Sequence, residues 1–106
     1  MDGWVIEDVS AVFGEKHVNE HHIALITGAA GPMGSAVARF LSEDGARVVL
    51  ADIDTDRVAG LAKDLGEETY PIAFDVSDPE AVQRAGATIE NAIGTVDILV
   101  NNAGIL

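Results

Sequence analysis

The 106-residue sequence contains no cysteine. Disulfides and thiolate metal ligands are therefore excluded. Basic residues are scarce: Lys plus Arg total 6 against 18 for Asp plus Glu, a formal net charge of −12. So acidic a surface repels phosphate backbones and anionic membranes, and neither nucleic acid nor membrane is an expected partner. Any phosphate site must then use backbone N–H groups and a helix dipole. No apolar run approaches 18 residues, and no basic stretch leads into an apolar one near the N-terminus. Neither a membrane span nor a secretion signal is predicted, and the expected compartment is the cytoplasm. The dinucleotide fingerprint G-x-G-x-x-G is also missing.

What is present is a globular composition. Hydrophobic residues make up 48% of the chain, which argues against intrinsic disorder. The length suits one modest domain.

The chain alternates short apolar runs with helical patterns. Ile23, Leu25 and Ile26 mark a first buried strand, followed by a turn of small residues from Thr27 to Gly34. Met33, Ala36, Val37, Phe40 and Leu41 follow helical spacing and predict the buried face of a first helix, stopped by Gly45. Arg47–Ala51 reads as a second strand with Asp52 at its carboxyl end. Asp54 or Thr55 can cap a second helix running to about Leu65, with Val58, Leu61, Ala62 and Leu65 inward. Tyr70–Phe74 reads as a third strand, and Pro71 within it predicts an edge position. Ser77, Pro79 and Glu80 form a helix-start signal, with Ser77 as cap and Glu80 closing a capping box. The third helix is expected to run to about Ile93 with Val82, Ala85, Ile89, Ala92 and Ile93 inward, ended by Gly94. Asp97–Val100 is the fourth strand. This β-α-β-α-β-α-β series predicts an α/β Rossmann-type parallel sheet with helices on both faces and strand order 3-2-1-4, cut short after the fourth strand. Residues 22–106 would form this partial domain, and residues 1–21 an N-terminal extension.

Two readings fit that extension. Val5, Val9, Val12 and Phe13 fall near helical spacing, which fits a short amphipathic helix, and a floppy tail fits equally. His17, Glu20 and His21 spell H-x-x-E-H, a zinc pattern. The strand begins too soon afterwards for a helix to continue, and a third ligand is lacking, so no metal is expected and a solvated linker is the reading adopted.

Thr27, Gly28, Ala29, Ala30, Gly31, Pro32, Met33 and Gly34 resemble the T-G-x-x-x-G-x-G turn of the short-chain dehydrogenase/reductase family. Pro32 replaces the middle glycine. Proline removes one N–H from the loop, a mild loss at the first helical position, and Gly31 tolerates the extended geometry a following proline imposes, so the site is expected to survive, with weaker pyrophosphate binding. Asp75-Val76 resembles the family's Asp-hydrophobic pair beside the adenine, although turn chemistry ahead of a helix accounts for it equally. Asn101-Asn102-Ala103-Gly104, directly after the fourth strand, resembles the family's N-N-A-G motif. Asp52 lies 24 residues after Gly28. A carboxylate there accepts hydrogen bonds from the adenosine ribose and repels a 2′-phosphate, so NAD is favoured over NADP. A helix cap or a solvated aspartate is the competing reading of Asp52, and Asp54 is the better cap.

The resemblance implies cofactor binding by Thr27, Gly28, Ala30, Gly31, Met33, Gly34, Asp52, Ile53, Asp75, Val76, Asn102, Ala103 and Gly104. It implies hydride transfer between NAD(H) and an alcohol/carbonyl substrate. The family's catalytic serine, Tyr-x-x-x-Lys helix and helix-borne asparagine have no counterpart here: the single tyrosine, Tyr70, has no lysine four residues on. No catalytic residue is assigned, and the chain alone is expected to be inactive. A non-catalytic nucleotide-binding or assembly module, or a gene fragment without function, are the alternatives. An exposed fourth-strand edge bearing Ile98, Leu99 and Val100 would favour a homo-oligomer.

Overall fold

A computed structural model describes residues 22–102. The extension, with its helical spacing and its H-x-x-E-H run, lies outside the described residues, as do Ala103 and Gly104. Strands β1 (Ile23–Thr27), β2 (Arg47–Asp52), β3 (Thr69–Ala73) and β4 (Ile98–Asn101) alternate with helices α1 (Pro32–Glu43), α2 (Thr55–Leu65) and α3 (Pro79–Ala92). The sheet is parallel, in the order β3-β2-β1-β4. The Rossmann-type α/β arrangement and its strand order are therefore as the alternation predicts.

The strands are apolar on both faces because both faces are covered. On one face Ala24, Ile26, Val48, Leu50 and Ile98 pack with Ala38 and Leu41 of α1 and Val58 and Ala62 of α2. On the other, Ile23, Leu25, Val49 and Ala51 pack with Ile89 of α3 and with Val96. Register follows from this alternation. Ala24 lies opposite both Val48 and Ile98, and Thr27 opposite both Ala51 and Asn101. The carboxyl ends of β1, β2 and β4 consequently finish level with one another. At the other end of the sheet, Asp97 clamps β4 to β1. Its N–H donates to the Ile23 carbonyl at 2.9 Å, and its carboxylate accepts from the Ile23 N–H at 2.9 Å.

Several local expectations are corrected. The buried residues of α1 are Gly34, Ala38 and Leu41, whereas Met33 is 66% exposed and Phe40 46% exposed. Bulk does not decide this helix's orientation. The close approach of Gly34 to the preceding turn does, and it turns Met33, Ala36 and Phe40 outward. Helix α3 is capped by Asp78, whose carboxylate accepts from the Glu80 and Ala81 N–H groups at 3.1 and 3.4 Å. Ser77 donates instead to Asp75, so the Ser77–Glu80 capping box does not form. A carboxylate at Asp78 sits one residue nearer the helix and carries a full charge for the dipole. Val82 and Ala92 of α3 are exposed, and the inward set reduces to Ala85, Ile89 and the half-buried Ile93. Strands β3 and β4 are displaced by one residue from Tyr70–Phe74 and Asp97–Val100, because pairing with β2 and β1 sets their limits.

Other punctuation falls where the residue types place it. Helix α2 is capped by Asp54, which accepts from the Arg57 N–H at 3.1 Å. Gly45 follows α1 at φ 107°, with Ala46 N–H bonded to the Leu41 carbonyl and Gly45 N–H to that of Ser42. This is the Schellman pattern of a left-handed stop. Pro71 stands in β3, the strand at one margin of the sheet, and is exposed.

Candidate cofactor site

The site forms where β1 gives way to α1. Thr27 ends the strand buried, and Gly28 follows at φ 66°, a left-handed conformation that favours glycine. Its carbonyl turns to accept the Gly31 N–H at 3.2 Å. Gly31 is the residue preceding α1, extended at φ −79° and ψ 170°, as the following proline requires. Pro32 then occupies the first helical turn, where a missing N–H costs least.

No side chain caps α1, in contrast to α2 and α3, which are capped by aspartates. An α-helix begins with about four N–H groups lacking intrahelical partners. Here the Gly31 N–H is bonded to Gly28 and Pro32 has none, which leaves those of Met33 and Gly34 at the open end. The positive pole of the helix dipole is concentrated on them. Gly34 is fixed by contact: a Cβ there would lie 2.2 Å from the Gly28 carbonyl oxygen and 2.9 Å from Ala29 Cα. The helix thus starts in contact with the turn.

Asp52 reaches this turn from the end of β2. Its Oδ2 accepts from the Ala30 N–H at 3.0 Å and its Oδ1 from the Asp54 N–H at 3.1 Å. A carboxylate offers about four acceptor directions, so further donors can still be accommodated. The cap reading belongs to Asp54, and Asp52 is tied to the glycine turn instead. From α2, the Arg57 guanidinium donates to the Ala30 carbonyl at 2.9 Å.

The far side of the site is built by the exit from β3. The Asp75 Oδ1 accepts both the Ser77 N–H at 2.9 Å and the Ser77 hydroxyl at 2.7 Å. The hydroxyl bond and then the backbone bond stabilise the ionised form and hold its carboxyl below the usual carboxylate range. Between these elements lies a cavity of about 340 Å³ lined by Gly28, Asp52, Ile53, Phe74, Asp75, Val76 and Ser77. Residues read separately from three strand ends are thereby brought to one hollow. Ile53 and Val76 are 69% and 36% exposed, which places apolar surface at a site otherwise rimmed by carboxylates.

Beneath the turn, Thr27 ties β1 to the end of β4. Its hydroxyl donates to Asn101 Oδ1 at 2.9 Å and accepts the Asn102 N–H at 3.0 Å. The Asn102 amide donates to the Gly28 carbonyl at 3.4 Å. Thr27 and Asn102 are therefore supports of the turn, while Gly28, Asp52, Ile53, Asp75 and Val76 line the cavity. Ala30, Gly31, Met33 and Gly34 form the turn and helix start and are not among the lining residues.

Sequence reasoning does not assign Phe74 or Ser77 to this place. Phe74 carried a signal, being the last apolar residue before Asp75. Ser77 was hidden by its resemblance to a helix cap. A larger hollow of about 500 Å³ beside α3 is lined mainly by apolar groups, including Leu25, Phe74, Val82, Ala85 and Ile89, and gathers no set of chemical groups.

The comparisons agree with this geometry. The family model described as short chain dehydrogenase matches residues 22–106. The chain is 38% identical over 86 residues to a 1-deoxy-11-beta-hydroxypentalenate dehydrogenase of Streptomyces avermitilis, covering 78% of this chain and 32% of the relative. It is 41% identical over 86 residues to a 3-oxoacyl-(acyl-carrier-protein) reductase of Vibrio harveyi, covering 81% and 35%. It is 43% identical over 86 residues to a mitochondrial borneol dehydrogenase of Lavandula x intermedia, covering 81% and 32%. The chain spans about a third of the length of these curated relatives. With the fold, the glycine turn and the family model in agreement over most of its length, the chain belongs to the short-chain dehydrogenase family.

Proposed function

We propose that this chain binds the adenosine side of NAD(H) and forms the cofactor-binding portion of an oxidoreductase acting on an alcohol/carbonyl pair. The observation that carries the reading is the convergence of Gly28, Asp52, Ile53, Asp75 and Val76 on one cavity at the carboxyl ends of β1, β2 and β3. Ligands of open parallel sheets bind at such strand ends. The residues present suit a dinucleotide. Asp52 accepts from ribose hydroxyls, and its charge disfavours a 2′-phosphate, so NAD is preferred over NADP. Ile53 and Val76 offer apolar contact to a purine, and Asp75, engaged through Oδ1 by Ser77, can meet an amino group through Oδ2. The N–H groups of Met33 and Gly34 face the phosphates at the start of α1. When bound, the nicotinamide supplies hydride chemistry.

The catalytic groups would come from outside this chain, which by itself binds without turnover. Residues 22–106 act as a partial nucleotide-binding domain, with Ala103 and Gly104 counted among the cofactor-binding residues by their place in the family's N-N-A-G motif, and residues 1–21 as an extension. The cytoplasm is the compartment we assign. No helix among the described residues is long and apolar enough to cross a membrane. A second reading, an assembly module, is favoured by β4, which lies at a margin of the sheet and pairs only with β1 among the described strands. Homo-oligomer formation through that edge would accompany it.

Calorimetric titration of the chain with NAD, NADP and 5′-AMP tests the proposal. NAD and 5′-AMP should bind, NADP more weakly, and Asp52→Ala should reduce NAD affinity by roughly tenfold, the value of one or two charge-assisted hydrogen bonds. A folded chain that binds none of the three refutes it.

A further inference from the structure

We infer that residues 1–21 carry a further amphipathic helix, and that it docks on the outward face of α1. Helix α1 is apolar on two sides. Gly34, Ala38 and Leu41 face the sheet. Met33, Ala36 and Phe40, at i, i+3 and i+7, form a second stripe on the exposed side. A surface helix ordinarily keeps that side polar. Among the described residues, the other exposed large apolar side chains do not form such a stripe. Ile53 and Val76 line the cofactor cavity, and Val82 stands alone on α3. A hollow of about 380 Å³ lined by Ser35, Ala36, Arg39, Phe40 and Glu43 lies along the outward side of α1.

Pattern, reach and charge identify the occupant. Val5, Val9, Val12 and Phe13 recur at i, i+4, i+7 and i+8, which is one apolar stripe of a helix, and Gly14 follows as a stop. The segment is tethered beside the end of α1. The His22 carbonyl accepts the Arg47 N–H at 3.0 Å, and Arg47 lies three residues beyond the Asp44 cap of that helix. The chain from Phe13 to Ile23 extends to at most about 36 Å. The whole of α1 is roughly 18 Å long, so every part of its stripe is within reach. Tethering holds the segment at an effective concentration of about millimolar. A second copy of the chain lacks that advantage and is repelled by the net charge of −12 on each. Asp44 adds a polar complement. Its Oδ2 is buried with no hydrogen-bond partner among the described residues, and α1 has no basic residue in its last turn. Lys16 follows Phe13 by three residues and brings a donor to that end.

The absence of native cysteine makes an engineered pair unambiguous. In the 106-residue chain, Val9→Cys is combined either with Ala36→Cys on the stripe or with Val82→Cys, exposed on α3. Under mild oxidation the Ala36→Cys pair should close within one chain about tenfold faster than the Val82→Cys pair, the preference of a docked segment over a freely moving one. Adding Phe40→Glu should erase that preference. Trp4, the one tryptophan, gives a second readout without any cysteine. Its fluorescence anisotropy should decay with the tumbling of the whole chain. Phe40→Glu should add a fast local component, and Val82→Glu should not. Equal closure rates for the two pairs, or faster closure at Val82→Cys, would overturn the inference. So would a Trp4 that already moves freely in the unmodified chain. Disulfides that form between chains rather than within one would give the stripe to a second copy and overturn it as well.

Discussion

Replacing Gly34 by alanine tests whether the helix start is held against the turn by contact. The added Cβ would lie 2.2 Å from the Gly28 carbonyl oxygen and 2.9 Å from Ala29 Cα, both backbone atoms. Carbon atoms of this kind do not approach an oxygen closer than about 3 Å, so α1 and the turn must separate by roughly 0.8 Å. Overpacking of this sort costs about 1–3 kcal/mol. The shift also strains the Gly31 N–H bond to Gly28, whose loss adds about 1 kcal/mol. The total, about 2–4 kcal/mol, is a large share of the 5–15 kcal/mol typical of a domain. For a chain of this size it corresponds to a fall in Tm of roughly 10–25 °C. Urea and thermal unfolding followed by far-ultraviolet circular dichroism would measure it. Gly31→Ala is the internal control: its Cβ would lie 3.5 Å from the same oxygen, an ordinary contact, and φ at Gly31 is −79°. It should change stability by less than about 1 kcal/mol. Equal stabilities for the two variants would refute the argument that contact at Gly34 orients α1.

Two further outcomes follow from local structure. Asp75 has a folded-state pKa below its ordinary value, chiefly through the Ser77 hydroxyl and then the Ser77 N–H. Such a group stabilises the fold above its unfolded pKa and loses that contribution as pH falls through the folded one. Ser77→Ala should raise the Asp75 titration midpoint toward the ordinary carboxylate range, read by NMR of the carboxyl carbon; an unchanged midpoint would disprove the cause assigned. Gly60 and Gly86 lie within α2 and α3, and a Cβ at either meets nothing within 4 Å. Alanine at each should raise stability by about 0.5–1 kcal/mol through helix propensity, checked by the urea midpoint at unchanged m-value.

The parts of the molecule that sequence reasoning reached are those governed by repeating pattern. Apolar strands spaced by helical stretches lead to a parallel sheet, and right-handed crossovers leave little freedom in strand order. Asp52 could be placed because it follows the last apolar residue of β2, and Pro71 because proline suits an edge. What escaped depends on single contacts. The orientation of α1 follows from Gly34, which contributes nothing to a hydrophobic pattern, so the helical spacing of the apolar residues alone points Met33 and Phe40 inward. The cap of α3 was a choice between adjacent residues, Ser77 and Asp78, and the bond between Ser77 and Asp75 decides it. The bond from Arg57 to the Ala30 carbonyl has no local signal, because the two residues are 27 positions apart.

The clamp between Asp97 and Ile23 has a consequence for synthesis. Residues 23 and 97 are separated by 74 positions. Strands β1, β2 and β3 and their two helices can assemble as soon as they emerge, since each pairs with the strand before it. The other flank of β1 must wait for β4. At about 5–20 residues per second, translation leaves that flank open for roughly 4–15 s. The most buried strand of the sheet is thus half-finished for longest during its own production. During that interval the backbone of Ala24–Thr27 is the natural place for a chaperone, or for a neighbouring nascent chain, to attach.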